Sequence, residues 1–414
     1  MLSRIYLIIY ILLMKNLKTF TGIIAISFIL VTGCKKDAGT DSGLVPQNQM
    51  ENKFSAKQSA TLSAGLKEKL SKFRASLPAG YEKRLKQNSA LITKLHPEYR
   101  NMVNRALKVI EPTPCDGNTK LFQWLNQELA DWDGDVIYFA LLTGMLNFPT
   151  YDALLFENSS ANQYFGVNGE FTQIETKAFK DIKRFYNIQS NDMVFGAMHG
   201  NMLLNREKII RIDMILYGDS KPQAAFWADL IIALLNEIPQ YRNGNHPIFT
   251  FNAFALQSFN FPPFGVVPSK IIMGDGIIEG YKAIGFGDVA PQAVVAHEFG
   301  HHIQFQLGLF GSESSPEATR RTELMADAFS AYYLSHSRGA AMQWKRVEQF
   351  LQVFLNIGDC GFTSNGHHGT PTQRMAAAKW AYNVANNAQK QGHILTAQQF
   401  TALFEAQLPI LITY

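Results

Sequence analysis

The residues of this chain with the plainest chemical capacity are His297-Glu298-Phe299-Gly300-His301. On a helix, residues four apart lie roughly 40° apart around the axis, so both imidazoles can reach one ion. Glu298 sits one step further round, beside the open position where a water would bind, rather than on the ion itself. The flanking residues Val294, Val295, Ala296 and Ile303 are apolar, so the helix is expected to be buried. Two histidines and an acid have no structural reason to be buried unless they are satisfied, as a metal ion between the histidines would do. A pair of hydrogen-bonded core histidines is the plainer alternative. Catalytic zinc usually takes three protein ligands. The third is expected from Thr322-Glu323-Leu324-Met325-Ala326-Asp327-Ala328, on a second helix opened by Ser315-Pro316-Glu317. Glu323 and Asp327 share a face. The expected division of labour puts Glu323 on the metal with His297 and His301, while Asp327 accepts a hydrogen bond from a ligand histidine and fixes its tautomer. A solvated acidic face is the alternative there, although Leu324, Ala328 and Phe329 bring the apolar side close. His302 points off the metal face. His199 and His246 have no acid or histidine at ligand spacing and read as ordinary.

These groups need a scaffold. Residues 291–307 form the first helix, with Asp288 as the expected N-cap and Gly308 as the stop. Upstream, between 206 and 290, the pattern reads as strands with one helix. Lys208–Tyr217 partly alternates like a half-buried strand, Pro222–Pro239 has the helical period, and Phe249–Leu256 and Lys270–Met273 read as strands. Gly274-Asp275-Gly276 reads as a turn. Residues 119–188 look helical and apolar, a scaffold. Asp131, Asp133 and Asp135 within it suit a solvated turn better than a calcium loop, whose twelfth position would be glutamate and is Leu142. Residues 51–112 are charged and helical, with Leu62, Leu66, Leu70 and Phe73 on one stripe and a further helix over Glu98–Val109.

The amino terminus points to export. A basic region and an apolar run from Gly22 to Val31 end in small residues before Cys34, which resembles the bacterial lipobox, where the cysteine carries the lipid. Residues 1–33 are thus expected to be a lipoprotein signal peptide and 34–50 a polar tether; a transmembrane anchor is the alternative, though this run and the earlier one from Ile5 to Leu13 are each short for a span. Met14 begins a complete signal by itself, so residues 1–13 read as a start-site artefact, with a real upstream extension as the alternative. Removing the leader takes Arg4, Lys15 and Lys18 from the 38 basic residues, leaving 35 against 34 acidic ones. That near balance gives no basic face for nucleic acid. Cys115 and Cys360 are either a disulfide pair or separate thiols.

Three segments in order resemble the glutamate-ligand zincins, and most closely the bacterial neutral zinc metallopeptidases. They are Ala296 to Gln304, Glu323 to Phe329, and Gly358-Asp359 followed by His368 to Arg374. The resemblance covers roughly residues 245–385 and implies zinc (Zn2+) held by His297, His301 and Glu323, with Glu298 as general base. Met325 stands where that family more often has glutamine. The implied fold is α+β, mainly helical, with a small sheet and two metal-bearing helices: a helical amino-terminal region at 51–190 and a zincin-like catalytic domain at 191–414. Asn252-Ala253-Phe254 would lie on an edge strand that pairs with an extended peptide, or on an ordinary core strand. Tyr332, Tyr333, His367 and His368 are candidate donors to the oxyanion, His368 first among them, and Arg374 is a candidate partner for an acid. The expected activity is hydrolysis of a peptide or protein in the cell envelope by a protein held to the membrane through its lipid. The competing expectation is a metal-binding envelope lipoprotein that binds or assembles with little turnover.

Overall fold

Leu66, Leu70 and Phe73 do share one face of a helix, α1 (Ala64–Ala75), and that face packs on the core. The computed structural model describes residues 64–84, 86–88, 120–261, 264–310, 315–354 and 369–414. Outside them lie Cys34 with the leader and tether, the expected helix over Glu98–Val109, Cys115, Cys360, His367 and His368. After α1, Arg84 is buried between the rings of Tyr217 and Trp227, 3.9 and 4.2 Å from their centroids, and pairs with Asp213 and Asp219. Four helices follow: α2 (Lys120–Glu128), α3 (Gly134–Thr143), α4 (Phe148–Leu155) and α5 (Thr172–Phe185). Asp133 is the N-cap of α3, its Oδ1 accepting from the Asp135 and Val136 N–H groups at 3.0 Å. The alternating acids therefore mark a helix start.

Strand β1 (Val194–Met198) opens the sheet. The next segment corrects the sequence expectation, because Lys208–Tyr217 is not a strand but most of helix α6 (Arg206–Leu216). Asn205 caps it by accepting from Lys208 N–H at 3.1 Å, and Ile209, Ile210, Ile212 and Asp213 are buried. The isoleucines favour a strand, but their spacing also makes a helical stripe, and the buried Arg84–Asp213 pair rewards the helical one. Then come α7 (Lys221–Glu237), β2 (Ala253–Leu256), β3 (Phe259–Phe261), β4 (Gly265–Val267) and β5 (Lys270–Gly274). The expected strand over Phe249–Leu256 begins only at Ala253, since Pro247–Thr250 is a 3-10 turn. Gly274-Asp275-Gly276 is a junction where β5 passes directly into α8 (Asp275–Ala283). The remaining helices are α9 (Ala290–Gln306), α10 (Pro316–Ser335), α11 (Trp344–Phe354), α12 (Pro371–Gln391) and α13 (Ala397–Leu411).

The fold is α+β and mainly helical, with a small mixed sheet of strand order β1-β5-β2 and a separate β3–β4 hairpin. β1 runs parallel to β5, and β2 runs antiparallel to it with Ala255 opposite Ile271. Alternation splits the sheet's side chains between two cores. Phe195, Ala197, Ile271, Met273 and Ala255 join the cluster that holds Phe299 and Ile303 of α9. Met198, Ile272, Phe254 and Leu256 face α4 and the hairpin instead. Among the described residues no helix is long and apolar enough to cross a membrane.

His246 shows how the main core is tied together. Its Nδ1 accepts the Ile248 N–H at 3.2 Å and its Nε2 donates to the Glu128 carbonyl at 3.0 Å, an arrangement only the neutral ring can make. Burial lowers its pKa to about 4 from the ordinary 6.5. A depressed histidine stabilises the fold in its neutral form, so the contribution is whole above pH 6.5 and is lost as the pH falls toward 4, up to roughly 3 kcal/mol. Denaturant titrations at pH 7.5 and 4.5 should therefore show a smaller acid-induced loss for His246→Gln than for the wild type.

Candidate metal centre

Pro291 in the first turn starts α9, and its N-cap is Val289. Asp288, the expected cap, is instead paired with Arg346 through two contacts of 2.6 and 3.0 Å. Gly308, in the left-handed region at φ 64°, ends the helix as expected. Ser315 caps α10 by accepting from Ala318 N–H at 3.1 Å. Three neighbours locate α9. His302 points off the metal face and donates from Nε2 to the Lys270 carbonyl of β5 at 2.8 Å. Phe299 packs against Tyr186 and Phe179 near and on α5. Ser330 of α10 donates to the Ala293 carbonyl at 3.1 Å.

At Gly300, between the two motif histidines, α9 comes close to the backbone of α10. A Cβ there would lie 3.0 Å from the Ala326 Cα and 3.3 Å from its carbonyl oxygen. The helices must separate to admit a larger side chain, and Glu323 and Asp327 would move with α10. Gly300→Val is expected to cost about 1–3 kcal/mol of stability by overpacking. Zinc affinity should fall alongside it, read by denaturation and by chelator competition on the same preparation.

That close approach brings carboxyl and imidazole groups together. His297, His301 and Glu323 each offer one donor atom, all within 4.8 Å of one another, and such a group could hold a metal ion. His297 Nε2 is 3.4 Å from Glu323 Oε2, and His301 Nε2 is 3.5 Å from Glu323 Oε1. The far nitrogens are also held. His297 Nδ1 meets Asp327 Oδ1 at 3.0 Å, the bond expected of Asp327, and His301 Nδ1 meets Gln304 Oε1 at 2.9 Å. Arg374, at the start of α12, grips Asp327 with Nε at 2.7 Å and Nη2 at 2.8 Å, which answers the expectation of an acidic partner. Side chains of His297, Glu298, His301, Glu323 and Asp327 are all buried, at most 2% exposed.

The electrostatics follow from that burial. Burial alone would lower the His297 pKa, but the Asp327 and Glu323 carboxylates against its two nitrogens outweigh it and push it up to about 10. Burial raises Glu298 to about 8, with Glu323 adding to the rise while His297 and the Ala255 backbone N–H oppose it. Burial holds His301 down to about 4. Among the described residues His301 Nε2 and Glu298 Oε2 are buried with no hydrogen-bond partner. Two imidazoles and one carboxylate form a donor set of the catalytic zinc type, and the bare His301 nitrogen turned toward Glu323 fits it.

Other expected residues fall elsewhere. Tyr332 is in the core, its hydroxyl accepting from Leu395 N–H at 3.0 Å, and Tyr333 is equally buried. Neither faces the donor set as an oxyanion donor would. Ala253 and Phe254 lie on β2, at the edge of the sheet, with the Phe254 side chain turned into the core on the α4 side; Asn252 immediately precedes the strand. His199 is not as plain as its sequence suggests. It follows β1, Asp275 follows the adjacent β5, and the two meet at 2.7 Å with Tyr164 stacked on the imidazole. His199 and Tyr164 border a pocket of about 720 Å³ that also involves Asp152, Glu157 and Lys208 and none of the metal-type residues. Only the parallel pairing of two strands 76 residues apart creates the His199–Asp275 contact, so no local pattern could have signalled it. Gln304 stands three residues after His301 on the same helix face, a spacing that signals their contact in the sequence.

No family model matches the chain, and neither a curated protein nor a solved structure matches it.

Proposed function

We propose that the chain is a zinc-dependent endopeptidase with a zincin-like catalytic domain, similar to the bacterial neutral zinc metallopeptidases. The observation that carries this reading is the buried convergence of His297, His301 and Glu323, with the Glu298 carboxyl beside them and hydrogen-bond partners already on the outer nitrogens of both histidines. His297, His301 and Glu323 would hold the ion. Zinc, when bound, supplies a positive charge that polarises a carbonyl and acidifies water. Glu298 takes the proton from the attacking water on its carboxylate and returns it to the leaving amine nitrogen. The Ala255 backbone N–H of β2 favours the charged form of this carboxylate. Beyond Ala255, β2 has an edge to which no strand pairs among the described residues, so an extended peptide along Asn252, Ala253 and Phe254 would be recognised through its backbone, since the Phe254 side chain is turned into the core. His368, in the segment that leads into Arg374, would be the additional donor to the oxyanion. Lipidation of Cys34 would hold the enzyme at the envelope membrane.

One observation favours a second reading, a metal-binding lipoprotein with little turnover: the whole donor set is no more than 2% exposed, as a structural site would be. Zinc content of the purified protein, and its cleavage of an unfolded protein with and without chelator, separate the readings. Bound zinc and chelator-sensitive cleavage are expected. Zinc without cleavage leaves the second reading standing, and a protein that takes up no zinc at all removes both.

A further inference from the structure

We propose that Gln304 is a positioning residue of the metal centre: through one carboxamide it fixes the tautomer of His301 and the placement of the backbone that carries Glu323. The inference rests on the metal reading above and goes beyond its ligands and base. Gln304 is fully buried, and its two ends make different bonds. Its Nε2 donates to the Thr322 carbonyl at 2.6 Å. A carbonyl can only accept, so the amide's orientation is settled and its Oε1 must be the atom 2.9 Å from His301 Nδ1. Oε1 in turn can only accept. The hydrogen of the neutral His301 ring therefore sits on Nδ1, and the lone pair of Nε2 is aimed at the side where Glu323 Oε1 lies 3.5 Å away. With the hydrogen on Nε2 instead, two acceptors would face each other across the 2.9 Å contact and the ligand nitrogen would be blocked.

Thr322 is the residue before Glu323, so the same amide also ties α9 to α10 at the third donor. The two histidines are supported unequally. His297 leans on an anion, Asp327, whose charge Arg374 balances, whereas His301 leans on a neutral amide. An amide suits that place because it must donate to Thr322 as well as accept from His301, and a carboxylate could do only the second.

Two variants separate the two duties. Gln304→Met keeps the volume and loses both bonds; Gln304→Glu keeps an acceptor for His301 and loses the donor to Thr322. Competition with a chromophoric chelator is expected to show zinc affinity falling about 10–100-fold in Gln304→Met, as for partners that orient ligand histidines elsewhere, and falling less in Gln304→Glu. In the metal-free wild type, long-range nitrogen–proton spectra of histidine-labelled protein are expected to show His301 protonated on Nδ1, and in Gln304→Met a mixture of tautomers. Wild-type affinity in Gln304→Met, equal losses in the two variants, or a wild-type His301 protonated on Nε2 would each overturn the proposal. If Gln304→Met does not fold, the wild-type spectrum decides alone. A wild type that binds no zinc sinks the metal reading instead, and the spectrum still tests the tautomer.

Discussion

Glu298→Gln is expected to keep zinc bound and to lower peptide hydrolysis by about 10²–10⁴-fold, the usual worth of a positioned acid–base group. The substitution is nearly isosteric. Glu298 is not among the three donors that converge within 4.8 Å, so the groups that would hold the ion are unchanged. What it loses is the capacity to take a proton. The loss should appear in kcat and not in KM, because the backbone of β2 that would bind the peptide is untouched. Initial rates on an unfolded protein, with zinc content measured on the same sample, check both halves. Cleavage at the wild-type rate with zinc retained would remove Glu298 from the chemistry.

Arg374→Met is expected to destabilise the protein by about 3–5 kcal/mol, the penalty for stripping one partner from a buried ion pair. Arg374 is 5% exposed and closes both Asp327 oxygens; its Nη2 also stands 3.9 Å from Glu323 Oε2. Without the guanidinium, a buried acidic pair is left with His297 as its chief cationic neighbour, and α12 loses its grip on α10. Chemical denaturation measures the effect. Asp327→Asn together with Arg374→Met should cost less than the two single changes summed, since removing both charges leaves neither unpaired. Excess zinc should recover part of the loss, about 2.7 kcal/mol at one hundred times its dissociation constant, because the metal binds only the folded site.

How much of this was legible in the residues depended on where the information lies along the chain. Helices α9 and α10, their start at Pro291 and Ser315 and the stop at Gly308 could be read because periods, caps and breakers act over a few neighbouring residues. The pairing of Glu323 and Asp327 on one face could be read for the same reason. Local pattern failed where a distant partner decided the outcome. Lys208–Tyr217 became a helix in company with Arg84, a residue far upstream whose charge Asp213 meets only if the segment coils. Asp288 was drawn off its expected capping role by Arg346, on a later helix. The acid beside His199 comes from the end of another strand. Gln304 is a different case: its contact to His301 is local, but its second bond, to Thr322, shows its purpose only once two helices are side by side.

A His-Glu-x-x-His pattern is written as though two of its five positions were blank. In this protein neither blank is open to choice. Phe299 is wholly enclosed, against Tyr186 and Phe179, and a Cβ at Gly300 would already lie 3.0 Å from the Ala326 Cα, so any larger side chain presses on α10. The spelling of the motif is therefore set from outside it, by α10 on one side and the aromatic residues of and beside α5 on the other. A library that randomised only these two blanks, keeping every chemically active residue intact, would lose most of its members to misplacement of the site, and recovering them would require a shift of α10 or compensating changes at Tyr186, far from the letters that define the pattern.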